Sequence, residues 1–182
     1  MSTSEKMPSQ SLQTSHALVG ALDKIHALVQ SVSDEQYVRT GMIGFSSPMG
    51  AHVRHCLDHV DALLLGLGEV EPDREIRYDR RERGTRIESD RSEALESCLD
   101  RRRQVLALDP ASLPGSVRVL AMVTPDDPEM IFDSTGTREL LYVFHHTVHH
   151  LALMAAHAEH LGVSMERNLG RAPATLAADQ DR

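Results

Sequence analysis

Aromatic side chains are scarce in this chain of 182 residues: they make up 3% of it, and tryptophan is missing altogether. A core without them must be assembled from Leu, Val, Ile, Ala and Met, which suits packed helices better than a sandwich of strands. Cysteine is nearly absent too. Cys56 and Cys98 match no zinc or redox spacing, which excludes a disulfide scaffold and leaves a reduced, cytoplasmic setting as the simplest expectation. The most extended apolar stretch, Ala62 to Leu67, is far below the roughly 20 residues that span a bilayer, so no membrane partner is expected. The opening residues carry no apolar segment and do not read as a secretory signal. Nor is there an excess of basic groups. Nineteen Lys and Arg stand against 27 Asp and Glu, a net charge of −8, which argues against a nucleic-acid partner. The 41% hydrophobic content excludes wholesale disorder.

The periodic segments predict four helices. Leu18, Leu22, Ile25, Val29 and Val32 form one apolar stripe, with Thr14 or Ser15 as its cap. Residues 33 to 45, with Gly41 and Gly44, read as a connection. Ser47-Pro48 is a start signal for a second helix striped by Val53, Leu57, Val60, Leu64 and Leu67. Residues 69 to 88 mix charges of both signs and read, on composition, as a solvated loop, with Tyr78, Arg80 and Arg83 able to reach over a pocket. Asp90 and Glu93 cap a third helix with Leu95, Leu99, Arg102 and Leu106 on its face. The stretch from Val117 to Phe132 predicts a short β-hairpin or an extended crossing loop. A fourth helix runs from near Thr137 to about Leu161, stopped by Gly162. The expected class is all-α, a four-helix bundle over residues 14–163, flanked by a flexible arm at 1–13 and a tail at 164–182.

Against these scarcities stand eleven histidines. The fourth helix reads Phe144-His-His-Thr-Val-His-His-Leu151, which offers His145 with His149 and His146 with His150, each pair four apart on one helical face. That spacing lets two imidazoles share one metal ion. A helical wheel prefers His150 for the inner side without choosing between the pairs. The second helix adds His52, His55 and His59. Two histidines from one helix and one from the other would make a three-nitrogen site with an open position, the arrangement of catalytic rather than closed structural metal sites. The bland reading is a pH-titrating surface without metal.

Two blocks resemble a known family. Met49-Gly50-Ala-His-Val-Arg-His55-Cys-Leu-Asp58-His59, together with Arg138-Glu139-Leu followed by His146-Thr-Val-His-His150-Leu-Ala, is similar to the DinB-like superfamily. These are metal-binding four-helix bundles that include thiol-dependent S-transferases. Tyr78-Asp-Arg-Arg-Glu-Arg-Gly and Arg171-Ala-Pro-Ala-Thr175 also look like one subgroup, and the similarity covers roughly residues 15 to 176. The resemblance implies a metal triad of His55, His146 and His150, an up-down-down-up bundle whose long crossover is the charged segment, and a homodimer. The wheel for the second helix sets His52 nearer its apolar seam than His55, so His52 is the alternate ligand. Many members carry Arg-Gly-Gln after the last ligand, where this chain has Leu151-Ala152-Leu153.

The implied chemistry is that of a divalent ion, Zn²⁺ first for a nitrogen-only site, with Ni²⁺ and Fe²⁺ also able to accept imidazole. Such an ion would activate water or a thiol. Asp58 is a candidate for orienting a ligand histidine. Arg80, Arg83 and Arg138 could hold an anionic group or simply form surface ion pairs. The expected function is a metal-dependent transferase or hydrolase for a small-molecule substrate, with a low-molecular-weight thiol as a candidate cosubstrate. The alternative is a non-catalytic metal or small-ligand binding module of a stress response.

Overall fold

The computed structural model describes residues 9–40, 47–68, 74–80 and 84–180. Its elements, in order, are α1 (Gln10–Ser31), α2 (Asp34–Val38), α3 (Met49–Gly68), β1 (Glu75–Ile76), α4 (Arg86–Ser89), α5 (Arg91–Ala107), β2 (Val117–Ala121), β3 (Met130–Ser134), α6 (Gly136–His160) and α7 (Pro173–Gln180).

Local chemistry sets several of the boundaries. Ser9 accepts the amide of Leu12 and starts α1 at Gln10, ahead of the expected Thr14 or Ser15 cap. The predicted connection after α1 contains the short helix α2, held by a capping box between Ser33 and Gln36 that seats the fully buried Tyr37. Asp90 accepts from Ser92 and Glu93 at the start of α5, and Thr135 accepts from Arg138 at the start of α6. At the other end of α6, Gly162 turns left-handed at φ 80°. The amides of Gly162 and Val163 then return to the carbonyls of Glu159 and Ala158, closing the helix.

The four long helices α1, α3, α5 and α6 form the bundle. Cross-links give their directions. Ser11 meets Thr137, and Gln36 reaches Leu161, so α1 and α6 run parallel. Asp23 pairs with Arg102 and Ser15 with the carbonyl of Val105, so α1 and α5 run antiparallel. His52 faces His150, while His59 faces His146 and Tyr142, so α3 and α6 run antiparallel. Together these contacts give the up-down-down-up order. Leu18, Leu22, Ile25, Val53, Leu57, Val60, Leu140, Leu151 and Met154 fill the centre.

The inner face of α5 differs from the expectation. Leu99 and Leu106 are exposed, and Ala94, Ser97, Cys98 and Val105 are the buried set. Small side chains turn inward there and let α5 lie close against its neighbours, so the stripe is shifted by one residue from the leucines. Both cysteines are buried and free. In α3, likewise, Leu63 is buried where Leu64 was expected.

The hairpin forms as β2 and β3, antiparallel, with Val119 opposite Phe132. The charged crossover is not wholly a solvated loop. Its residues Glu75 and Ile76 form β1, which pairs parallel with β2 and gives a sheet ordered β1-β2-β3. Ile76 is fully buried and Tyr78 nearly so. This strand lies directly on α3 at Gly66, where an added Cβ would stand 2.4 Å from Ile76 Cγ1 and 2.9 Å from the Glu75 carbonyl oxygen. The absence of a side chain at Gly66 is what lets β1 dock. The region expected as a polar tail carries α7, whose Leu176 lines a cavity together with Ala17, Gly20 and Phe144 of the bundle. No helix among the described residues is long and apolar enough to cross a membrane.

Gly66→Ala therefore forces β1 outward. It is expected to cost about 1–3 kcal/mol as an overpacking change, lowering Tm by roughly 2–10 °C for a chain of this size. Gly68→Ala, where an added Cβ meets nothing within 4 Å, should stay within about 0.5 kcal/mol of the wild type. Thermal unfolding followed by circular dichroism compares the two.

Candidate metal centre

Antiparallel packing of α3 on α6 lays two rows of imidazoles against each other. On α6 the row is His146 and His150, both half-buried; His145 and His149 lie on the exposed face. On α3 the row is His52, His55 and His59. One ring nitrogen from each of His55, His146 and His150 falls within 4.8 Å of the other two. The closest approach is His146 Nε2 to His55 Nε2, at 3.0 Å. Two nitrogens on one tetrahedral zinc, each about 2.0–2.1 Å from it, stand about 3.3 Å apart. The separation and the donor chemistry both fit a divalent ion. His52 is outside this converging set; its Nδ1 lies 3.1 Å from His150 Nδ1.

Burial and neighbouring imidazoles favour the neutral form of His146, His150 and His52. Burial, reinforced by His59, His150 and His149, drives His146 down to about 3. Burial and then His52, His149 and His59 bring His150 to about 4. His52 is lowered by burial and by His149. Neutral imidazoles carry the lone pairs that coordination needs.

Around the cluster is a stack of rings. Tyr78 lies on His59, with centroids 5.1 Å apart and planes 11° from parallel, and His59 lies on His146 at 4.0 Å and 18°. His59 Nδ1 donates to the His55 carbonyl at 3.0 Å, which fixes its ring across the seam. The stack ends on a buried carboxylate. Glu139 is 2% exposed and accepts from the Tyr78 hydroxyl at 2.9 Å, the Ser134 hydroxyl at 2.6 Å and the Arg138 guanidinium at 3.1 Å. Burial, with Glu139 next, pushes the Tyr78 hydroxyl pKa up, so Tyr78 stays a proton donor. Arg138 also sits 5.5 Å above the Tyr142 ring.

A cleft of about 600 Å³ opens beside this array. His55, His59 and His146 are on its floor, Val119, Ala121 and Phe132 of the hairpin form an apolar wall, and Ser134, Arg138 and Glu139 are at its polar end. Of the expected anion-holding arginines, Arg138 lines the cleft. Arg80 is mostly exposed and sits 3.9 Å from Glu129; Arg83 lies outside the described residues. Asp58, expected to orient a ligand, receives the Arg54 guanidinium at 2.7 Å.

Sequence reading missed Glu139, Tyr142 and the stacking role of His59. A signal was present: Glu139, Tyr142, His146 and His150 follow one another at helical spacings of three and four, so a carboxylate and a phenol share the face of the histidine pair. Ser134 carried no such signal, because its role depends on hairpin register.

Comparison with known proteins agrees with this architecture. The model of the DinB superfamily matches residues 17–154. Among curated proteins, "FK506-binding protein 5" of Rhizopus delemar is 31% identical over 102 residues, 56% of this chain and 26% of that protein. The chain thus spans about a quarter of the length of that relative. No solved structure matches.

The depressed imidazoles make the metal-free protein acid-sensitive. In the unfolded chain these histidines take up protons near pH 6.5; in the fold His146 and His150 resist until about 3 and 4. The unfolded state therefore binds more protons across that window, so stability present above pH 6.5 is lost as pH falls toward 4. Thermal scans of chelator-treated protein from pH 7.5 to 4.5 should show Tm falling. The fall should be shallower in the His146→Ala/His150→Ala variant.

Proposed function

The chain belongs to the DinB superfamily, and from that membership and its convergent imidazoles we propose a metal-dependent enzyme acting on small molecules, a thiol S-transferase or a hydrolase. The observation that carries this reading is the meeting of His55, His146 and His150 from two facing helices. Three nitrogen ligands leave a position for a further ligand, as in catalytic sites. Zn²⁺ is the first choice for such a donor set, and Ni²⁺ and Fe²⁺ also accept imidazole. A divalent ion held there supplies the charge that lowers the pKa of a water or thiol and yields a nucleophile at neutral pH.

The remaining residues shape and orient. The cleft volume of about 600 Å³ suits a small molecule rather than a macromolecule. Val119, Ala121 and Phe132 cover an apolar body and exclude water from that side. Arg138, held by Tyr142 and Glu139, presents a guanidinium edge to a polar group of the substrate. Tyr78 and Ser134 satisfy Glu139, which keeps the polar end rigid.

One observation favours a second reading, a non-catalytic metal or small-ligand binding module. The residue after the last candidate ligand, Leu151, is 1% exposed and part of the core. It therefore offers no polar group beside the cluster.

Two measurements decide. Untagged wild type should retain about one metal ion per chain by mass spectrometry, and His146→Ala/His150→Ala should retain none. Turnover of a haloaromatic electrophile with an added low-molecular-weight thiol, or of an ester or amide panel without one, should depend on that metal and fall to background in His146→Ala. Metal retention with no turnover across both panels would establish the binding module instead.

A further inference from the structure

We propose that His52 is a positioning residue: it accepts the Nδ1 proton of His150 and so leaves the Nε2 lone pair of His150 for the ion. The inference rests on reading His55, His146 and His150 as the ligand set.

The geometry is direct. His52 Nδ1 and His150 Nδ1 are 3.1 Å apart, with ring centroids at 5.3 Å and planes 40° from parallel. Two bare lone pairs at that distance repel unless they are bridged by an ion, as read for His55 and His146, or by a proton. His52 lies outside the converging set, so here the bridge is a proton. If His52 Nδ1 keeps the proton, it donates to His150 Nδ1, and the proton of neutral His150 must sit on Nε2, where it blocks coordination. If His150 Nδ1 keeps it, the Nε2 lone pair is available. The converging donor set contains His150 and excludes His52. With His150 Nδ1 engaged by His52, Nε2 is the nitrogen left for the ion, which requires the second arrangement. Ligating histidines generally donate their other N–H to a carboxylate or a carbonyl. Here the acceptor is another imidazole, projected from the facing helix.

The two α6 ligands are then held by different means. The ring of His146 is fixed by stacking on His59 at 4.0 Å. His150 is fixed by His52. This gives His52 a function that its helical spacing alone disguises, since its position beside the seam makes it look like an alternate ligand to His55.

The competing assignment is that His52 binds the ion itself and closes the site. Asn and Leu substitutions separate the two. The Oδ1 of Asn stands where His Nδ1 does and can accept the same proton, whereas Leu keeps the bulk and accepts nothing. Zn²⁺ affinity would be measured on the full-length, untagged protein by competition with a chromogenic chelator. The metal-free Tm would be recorded for each variant to confirm folding, and Co²⁺ would be loaded as a spectroscopic probe. His52→Leu should weaken Zn²⁺ binding about 10–100-fold with the Co²⁺ visible spectrum unchanged in band pattern. His52→Asn should recover most of that loss. Unchanged affinity in His52→Leu would overturn the proposal. So would a His52→Asn variant as weak as His52→Leu with an altered Co²⁺ spectrum, which would make His52 a ligand. Failure of the underlying reading looks different: the wild type itself would take up no Zn²⁺.

Discussion

Antiparallel contact between α3 and α6 is the interaction on which the rest depends. Each helix carries histidines at spacings of three or four, and antiparallel packing runs the two rows past each other. His52 thus meets His150, His55 meets both His146 and His150, and His59 meets His146. With parallel packing about His55, His52 would fall about one and a half turns from His150, and His59 as far from His146. The contact also has a cost. Half-buried imidazoles in an apolar bundle are held neutral, and a cluster of neutral rings gains little in mutual attraction to offset lost hydration. The apolar core around Leu57, Val60, Leu140, Val143 and Leu151 supplies the stability that lets the histidines remain there.

The small sheet couples the long crossover to that seam. Ile76 anchors β1 on α3 at the side-chain-free surface of Gly66, and two residues later Tyr78 lands on His59. Tyr78 in turn donates to Glu139, which also receives Ser134 from the end of β3. One carboxylate on α6 therefore ties together the crossover, the hairpin and the helix that bears His146 and His150. A buried carboxylate with three donors is far better placed than one with fewer, so the three segments are held in one arrangement.

The helices were legible because each carries an apolar stripe and recognisable caps. Asp90 with Glu93 and Gly162 mark boundaries that the structure keeps. What was not legible has physical reasons. The α5 face was misjudged because Leu99 and Leu106 outrank Cys98 and Ala94 in hydrophobicity, yet the inner surface needed small volumes for close packing. The crossover was read as solvated because two buried residues, Ile76 and Tyr78, are outnumbered there by charges. Its strand exists only through pairing with β2, some forty residues away in sequence. At the site, spacing narrowed the histidines to pairs, and the family resemblance named His55, His146 and His150. A wheel for one helix could not tell His52 from His55, because the distinction depends on where the facing helix places His150.

The cleft meets one end of the cluster. The cleft reaches His55, His59 and His146, while His52 and His150 lie at the far end of the array, outside its lining. A molecule entering from the cleft meets the apolar hairpin wall on one flank and the Arg138–Glu139 end on the other before it reaches the imidazoles. That asymmetry assigns different work to the two ends of the histidine rows. On the proposed function, the far end, where His52 contacts His150, would hold ligand orientation away from the cleft. The near end, where Tyr78 and His59 stack on His146, lines the cleft. If the cluster holds an ion as proposed, substitutions at the near end should alter what enters the cleft, and substitutions at the far end should alter how firmly the ion is held.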